Sequence, residues 1–410
     1  MFFFILVKIF LKGGVQMMKF DKKLIAKILL ITSIFSLGST SLRVKAEDAG
    51  TNGGIEVEAK SALLMEAKSG TIVYEKNSHE KFAPASVTKI MTMLLAMEAV
   101  DSGKIKIDDK ITASENAKKM GGSTMLLDIG EIRTVEEILK GIAIASGNDA
   151  AVAMGEYLAG TQEAFVELMN KRAQELGMKD TTFKNCTGLP AEGHLSSAYD
   201  ISIMSRELLK HPTILKYTGT YVETISEGRK APIELVNHNK LVRFFKGCDG
   251  LKTGYTEEAK YCISATATRE GVRMLSVIMG APTYKIRNRD ASLLLNFGFS
   301  KFEGKKILDK DADVVKVPLN KSEDKFFIAK AKEEVVLVFP RGSGDSVEQK
   351  ISLDESRRSY VKGEKIGVCE YYLGEQKIAE VELYADRDVK KGGFIDNLKY
   401  NFRNLFKGGV

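Results

Sequence analysis

Apolar residues in this chain follow a strand, helix, strand order across residues 62–297 that leaves few folds open. Ala62-Leu63-Leu64-Met65 and Thr71-Ile72-Val73-Tyr74, parted by Lys68-Ser69-Gly70, predict a β-hairpin. Helical spacing then predicts helices over Ile90–Val100, Val135–Ala145 and Phe165–Leu176, the last stopped by Gly177. Strand texture returns at Tyr261–Ala265 and Met274–Met279, and Arg287–Phe297 predicts a final helix packed on them. A hairpin first and strands last predict an α/β (α+β) domain whose sheet joins both of its ends around a helical insertion.

After about residue 303 the pattern changes to short strands between polar turns: Val314–Val317, Phe326–Ile328, Val335–Phe339 and a pair flanking Leu373-Gly374-Glu375. This is the texture of a sandwich-like all-β module of about 80 residues with no catalytic constellation. It reads as a spacer or docking module that positions the first domain relative to a terminal membrane helix.

The ends carry the charge. Residues 1–46 hold eight of the 61 Lys/Arg and one of the 54 Asp/Glu, which leaves 53 of each sign in the remainder. The formal charge of +7 therefore implies no nucleic-acid partner. Lys19, Lys22, Lys23 and Lys27 precede an apolar run from Ile28 to Leu37, and Val44-Lys45-Ala46 suits a signal-peptide cleavage site. Residues 1–46 are thus expected to be an over-called start plus a signal peptide, with Met17 or Met18 as the true beginning. An uncleaved anchor is the alternative, although the run is shorter than the 18 or so residues that span a bilayer. At the other end, Phe394, Ile395, Leu398, Phe402, Leu405 and Phe406 fall on one helical face, and residues 387–410 hold six bases against two acids. An amphipathic helix lying on an anionic membrane is expected over 387–410, with a helix packed on the domain as the alternative. The expected division is 1–46 removed, 47–302 catalytic, 303–386 all-β and 387–410 membrane-associated, with the chain exported to the outer face of the cytoplasmic membrane.

Cys186, Cys248, Cys262 and Cys369 are too scattered for a disulfide framework, and their pairing stays open. His79, His194, His211 and His238 lack ligand spacing, so no metal and no cofactor are expected.

Three short motifs carry the chemistry: Ser86-Val87-Thr88-Lys89, Ser146-Gly147-Asn148 and Lys252-Thr253-Gly254. None is specific alone, since Ser78…Lys81 and Ser114-Glu115-Asn116 repeat two of the spacings. At the head of a helix, residues three apart share a face, so Lys89 can reach the Ser86 hydroxyl. A serine needs a base beside it, and a lysine becomes one when burial and a second cation such as Lys252 strip its proton. Ser146 and Asn148, read as a loop after an apolar helix, suit a proton relay and an amide contact. Lys252 and Thr253, entering a strand, suit a substrate carboxylate.

The trio in this order, with Phe82-Ala83-Pro84-Ala85 leading into Ser86, resembles the low-molecular-mass penicillin-binding proteins, the serine D-alanyl-D-alanine carboxypeptidases. Gly121-Gly122-Ser123-Thr124-Met125, Ala145–Ala151, Gly188-Leu189 through Gly193-His194, Tyr199-Asp200 and Asp249–Thr256 extend the likeness over residues 55–300. The resemblance implies a β-lactamase/transpeptidase-like sheet with a helical subdomain. It implies Ser86 as the acylated nucleophile, Lys89 as its base and Ser146 in proton transfer. Asn148, Lys252, Thr253, Gly254 and Tyr255 would position the substrate, with the N–H groups of Ser86 and Tyr255 as oxyanion hole. The implied substrate is a peptidoglycan stem peptide ending in D-Ala-D-Ala, with β-lactams as covalent inhibitors. Two positions depart from the family: Lys260 stands where glycine is common, and His238 where some relatives place an arginine. A class A β-lactamase would need a glutamate near residue 182, which Asp180-Thr181-Thr182-Phe183 does not supply. A penicillin sensor that acylates without turnover and an endopeptidase acting on cross-links use the same residues.

Overall fold

The computed structural model describes residues 54–225, 231–319, 326–343, 346–354 and 359–390. The signal segment and residues 391–410 of the expected terminal helix lie outside them. Among the described residues no helix is long and apolar enough to cross a membrane.

The predicted hairpin forms as β1 (Ser61–Glu66) and β2 (Ile72–Lys76). Two short hairpins edge the helical insertion, β3 (Lys110–Thr112) with β4 (Ile132–Thr134) and β5 (Val222–Ile225) with β6 (Ile233–Val236). The chain then returns as β7 (Cys248–Thr256), β8 (Lys260–Arg269) and β9 (Val272–Ala281), and the antiparallel sheet runs β2-β1-β9-β8-β7. Strand β1 beside β9 is the junction of the two ends that the strand, helix, strand order required.

Every residue of β1 is buried, and its side chains divide by the period of two that a pleated strand imposes. Leu63 and Met65 enter the core shared with the helical insertion, while Ala62 and Leu64 enter the core on the opposite face. β9 splits the same way, Leu275, Val277 and Met279 against Met274 and Ile278. A sheet covered on both faces has no polar side, which is why these strands read as continuous apolar runs.

Helix α1 (Lys89–Asp101) is buried nearly all round, as a central helix must be. Thr134 and Glu137 form a reciprocal capping box at the start of α2 (Val135–Ala143). After four intervening residues α3 (Asn148–Ala159) begins, so Asn148 opens a helix rather than sitting in the loop expected for it. The Ala-rich sequence after it is buried for seven consecutive residues, through Gly155, and that packing makes a helix start where a loop was expected. α4 (Gln162–Glu175), α5 (Ala198–Leu208) and short helices at Glu115–Lys118, Ile214–Thr218 and Leu241–Phe244 also belong to the insertion, and α6 (Tyr284–Lys301) covers the outer face of the sheet.

β10 (Phe302–Leu308) follows α6 without a break. The remaining strands are β11 (Asp313–Pro318), β12 (Phe326–Ala331), β13 (Val335–Pro340), β14 (Val347–Leu353), β15 (Ser359–Tyr360), β16 (Lys365–Leu373), β17 (Gln376–Ala385) and β18 (Val389–Lys390). They form a β10-β13 pair and a sheet β11-β12-β17-β16-β14 around a core of their own. β18 pairs with β15 and buries Val389 in the C-terminal core, so the helix expected over 387–410 does not begin at 387: sheet pairing and burial claim its first residues. The four cysteines are buried and none is disulfide-bonded.

Candidate active site

Ser86 lies in a 3-10 turn, Ala85–Thr88, immediately before α1. The i, i+3 spacing that suggested a shared helical face is tighter still in this turn, where such side chains eclipse. Ser86 is half-buried and Lys89 fully buried. The Lys89 amine is 3.0 Å from Ser86 Oγ, 2.6 Å from Asn148 Oδ1 and 2.7 Å from the Thr187 carbonyl. Burial pushes the Lys89 pKa down to about 7. The neutral amine has two N–H groups and one lone pair. Asn148 Oδ1 and Thr187 O can only accept, so they take the two N–H groups and leave the lone pair for the Ser86 hydroxyl. Covalent capture of a penicillin should therefore rise with pH through about 7 and then level off. A rate that stays flat from about pH 5 to 9 would remove Lys89 as the base.

The turn is held from three sides. His194 Nδ1 accepts the Lys184 N–H at 2.9 Å, so its other nitrogen carries the proton and donates to Thr88 Oγ1 at 2.8 Å. Burial and the Lys184 charge keep this imidazole neutral, with its pKa near about 4. Gly188 and Gly254 press on the backbone at Ala85 and Ser86. A methyl on Gly188 would lie 1.9 Å from Ala85 O, and one on Gly254 would lie 2.9 Å from Ser86 N. Ala85 itself takes φ +47, the left-handed region that costs a residue with a Cβ. Gly254 thus brings β7, an edge strand, against the nucleophile.

Lys252 and Thr253 are buried within β7, mid-strand rather than at its entry. Burial, then the charges of Lys89 and Arg287, pushes the Lys252 pKa well down, and its amine donates to Thr253 O at 2.9 Å. Tyr255 is exposed, its hydroxyl bonded to Glu257 and its ring 4.4 Å from that of Tyr261. Ser146 is buried at φ +61 between α2 and α3, and its hydroxyl bonds neither Ser86 nor Lys89. Ser86, Lys89, Asn148, Lys252, Thr253 and Gly254 are thus brought together, with Ser146 adjoining through Asn148.

The two departures resolve differently. Lys260 takes φ +55 at the β7–β8 turn, so the hairpin keeps the backbone that glycine adopts freely, at a cost of about 1–2 kcal/mol. His238 reaches solvent between the buried Asn237 and Asn239, and Asn239 is tied to Gly250 O at 2.9 Å. Crowding around His238, then the charges of Lys252, Arg287, Lys240 and Lys89, lowers its pKa to about 4. It is therefore neutral where Lys89 titrates.

Three contributors were not read from the sequence. Thr187 acts through a backbone carbonyl, which any residue supplies. Asp149 binds backbone N–H groups of a distant segment. Arg287 is 6% exposed, bonds the side chain of Asn288, and has no carboxylate partner among the described residues. Burial lowers its pKa to about 10. An arginine on the apolar face of the predicted helix was the available signal. Among the described residues no group of His, Cys, Asp and Glu is placed to hold a metal.

Comparison with known proteins agrees with this geometry. A family profile described as D-alanyl-D-alanine carboxypeptidase matches residues 45–283, and one described as the C-terminal domain of penicillin-binding protein 5 matches residues 302–391. The D-alanyl-D-alanine carboxypeptidase DacF of Bacillus subtilis is 44% identical over 380 residues, covering 92% of this chain and 97% of its own. The crystal structure of penicillin-binding protein 5 from Haemophilus influenzae superposes with a TM-score of 0.61 at 31% identity, over 82% of this chain and 98% of that one. Penicillin-binding protein D2 of Listeria monocytogenes, solved in a cefotaxime-bound form, gives a TM-score of 0.55 at 32% identity over 60% of this chain and 98% of its own. The hairpin-to-strand sheet, the Ser86–Lys89 pair and these likenesses coincide: the chain belongs to the S11 family of serine D-alanyl-D-alanine carboxypeptidases.

Proposed function

We propose that the chain removes the terminal D-alanine from peptidoglycan stem peptides ending in D-Ala-D-Ala, through an acyl-enzyme on Ser86. The observation that carries this reading is the Lys89 amine, whose lone pair is left for Ser86 by Asn148 and Thr187. Ser86 Oγ attacks the penultimate D-Ala carbonyl as its proton passes to Lys89. The backbone N–H groups of Ser86 and Tyr255, on neighbouring segments, receive the developing oxyanion. The C–N bond breaks, the leaving D-alanine amine takes a proton from the Lys89 side with Ser146 beside the route, and water then releases the trimmed peptide. A substrate carboxylate beside Lys252, Thr253 and Arg287 would supply the counter-charge that these buried cations lack, which favours a free C-terminus over an internal peptide bond. A β-lactam would acylate the same serine. Its cleaved amide nitrogen stays tethered, so water is slow to replace it.

D-alanine release from a D-Ala-D-Ala-terminated peptide by residues 47–390 tests the proposal. Stable penicillin capture without any release would move the reading to a sensor.

The division into a catalytic domain at 47–302, an all-β module from 303 through β18 and a membrane-surface helix beyond residue 390, following an exported signal at 1–46, belongs to the same proposal. Its support is the bases and one-sided apolar residues of the terminal segment. Removing residues 391–410 should release the protein from membranes with D-alanine release unchanged. Continued sedimentation of the truncated protein with membranes would refute the anchor.

A further inference from the structure

Asp149, in the first turn of α3, is 2% exposed and has no ion-pair partner among the described residues. Backbone N–H groups satisfy it instead. Oδ1 accepts from Met125 at 3.0 Å and from Ala150 at 2.8 Å, and Oδ2 accepts from Leu127 at 3.0 Å. Between the two distant donors sits Leu126, at φ +57 with its side chain 60% exposed. A left-handed residue between two N–H groups turns them to one side and makes a concavity that takes an anion. Here the chain supplies the anion itself.

The held segment also touches the catalytic centre. Gly121 O accepts from Asn148 Nδ2, and Ser123 O from the Asn148 N–H, both at 2.7 Å. The first of these contacts sets which end of the Asn148 amide faces Lys89. We infer that Asp149 is a positioning residue for acylation: its grip on Met125 and Leu127 holds the 121–127 segment, which orients the Asn148 amide and so aims the Lys89 lone pair at Ser86. This rests on the reading of Ser86 and Lys89 given above. Asp149 needs no contact with substrate.

Its charge leaves a separate signature. Cys186 and Asp149 both face Lys89 and favour its ammonium, whereas the Lys252 charge, on β7, and His238, ahead of β7, offer no anion. Burial pushes the Cys186 thiol up to about 12, so it is uncharged where Lys89 titrates, and Asp149 is the effective anion.

The test is the rate of penicillin capture by the full chain across pH. In Asp149→Asn, one carbonyl oxygen cannot accept three N–H groups, so the plateau rate should fall about 10- to 100-fold, the scale of a small misplacement. The acid limb of the profile should move to lower pH, because the ammonium of Lys89 loses its anion. Leu126→Val, a β-branched residue that resists a positive φ, should lower the plateau while leaving the limb in place. Leu126→Gly adopts that φ freely and should keep the wild-type rate. An unchanged plateau in Asp149→Asn, a fallen plateau with an unmoved limb, or equal losses in the two Leu126 variants would each overturn the inference. If Asp149→Asn does not fold, the Leu126 pair decides alone, since that side chain is exposed. A wild type that fails to capture penicillin would instead refute the underlying reading.

Discussion

Replacing Ser86 with alanine should abolish both D-alanine release and covalent capture of a β-lactam, a loss on the order of a millionfold, the scale at which a serine nucleophile is missed. The fold should survive. Ser86 is half-buried, and its hydroxyl makes one hydrogen bond, with Lys89, which keeps Asn148 Oδ1 and Thr187 O as partners. Alanine also suits the 3-10 turn. Mass spectrometry after penicillin treatment, with a thermal melt beside it, reads both effects. An adduct that persists on the alanine variant would place the nucleophile elsewhere, and a collapsed melting temperature would make Ser86 a structural residue.

Gly188→Ala should be nearly as damaging, although Gly188 performs no chemistry. The added methyl would fall 1.9 Å from Ala85 O and 2.3 Å from Ala85 C, on a backbone at φ +83. Ala85 is backbone next to the nucleophile, so it cannot swing aside as a long side chain would. Relief requires moving either the 3-10 turn or the Thr187-Gly188 segment, and the latter carries the carbonyl that binds Lys89. Overpacking and the unfavourable φ together should cost about 2–5 kcal/mol of stability. A displacement near 1 Å at Ser86 should cost about 100-fold in acylation of the molecules that remain folded. Gly254→Ala meets its neighbours at 2.9–3.0 Å and should be milder. Gly193→Ala isolates the backbone term, because its φ is +75 but its nearest neighbour is the flexible Lys184 side chain at 3.4 Å. Acylation rates and melts of the three variants should fall in the order Gly193, Gly254, Gly188. A Gly188 variant with wild-type acylation would show that the turn is not wedged.

The sequence by itself determined the elements and the reactive pair. The apolar runs of β1 and β9, the helical spacing in α1 and the short reach from Ser86 to Lys89 are local, and a local pattern is legible without knowing the fold. Tertiary structure alone decided the working state of the site. Lys89 meets Asn148 across 59 residues and Thr187 across 98, and Arg287 comes to Lys252 from the far side of the sheet. No spacing encodes such meetings. Several are made by backbone groups, whose chemistry is the same at every position, and the shift that makes Lys89 a base follows from burial, which only packing creates. The same limit explains Asn148: it reads as a loop residue in isolation, and it became a helix start because the residues after it had a core to enter.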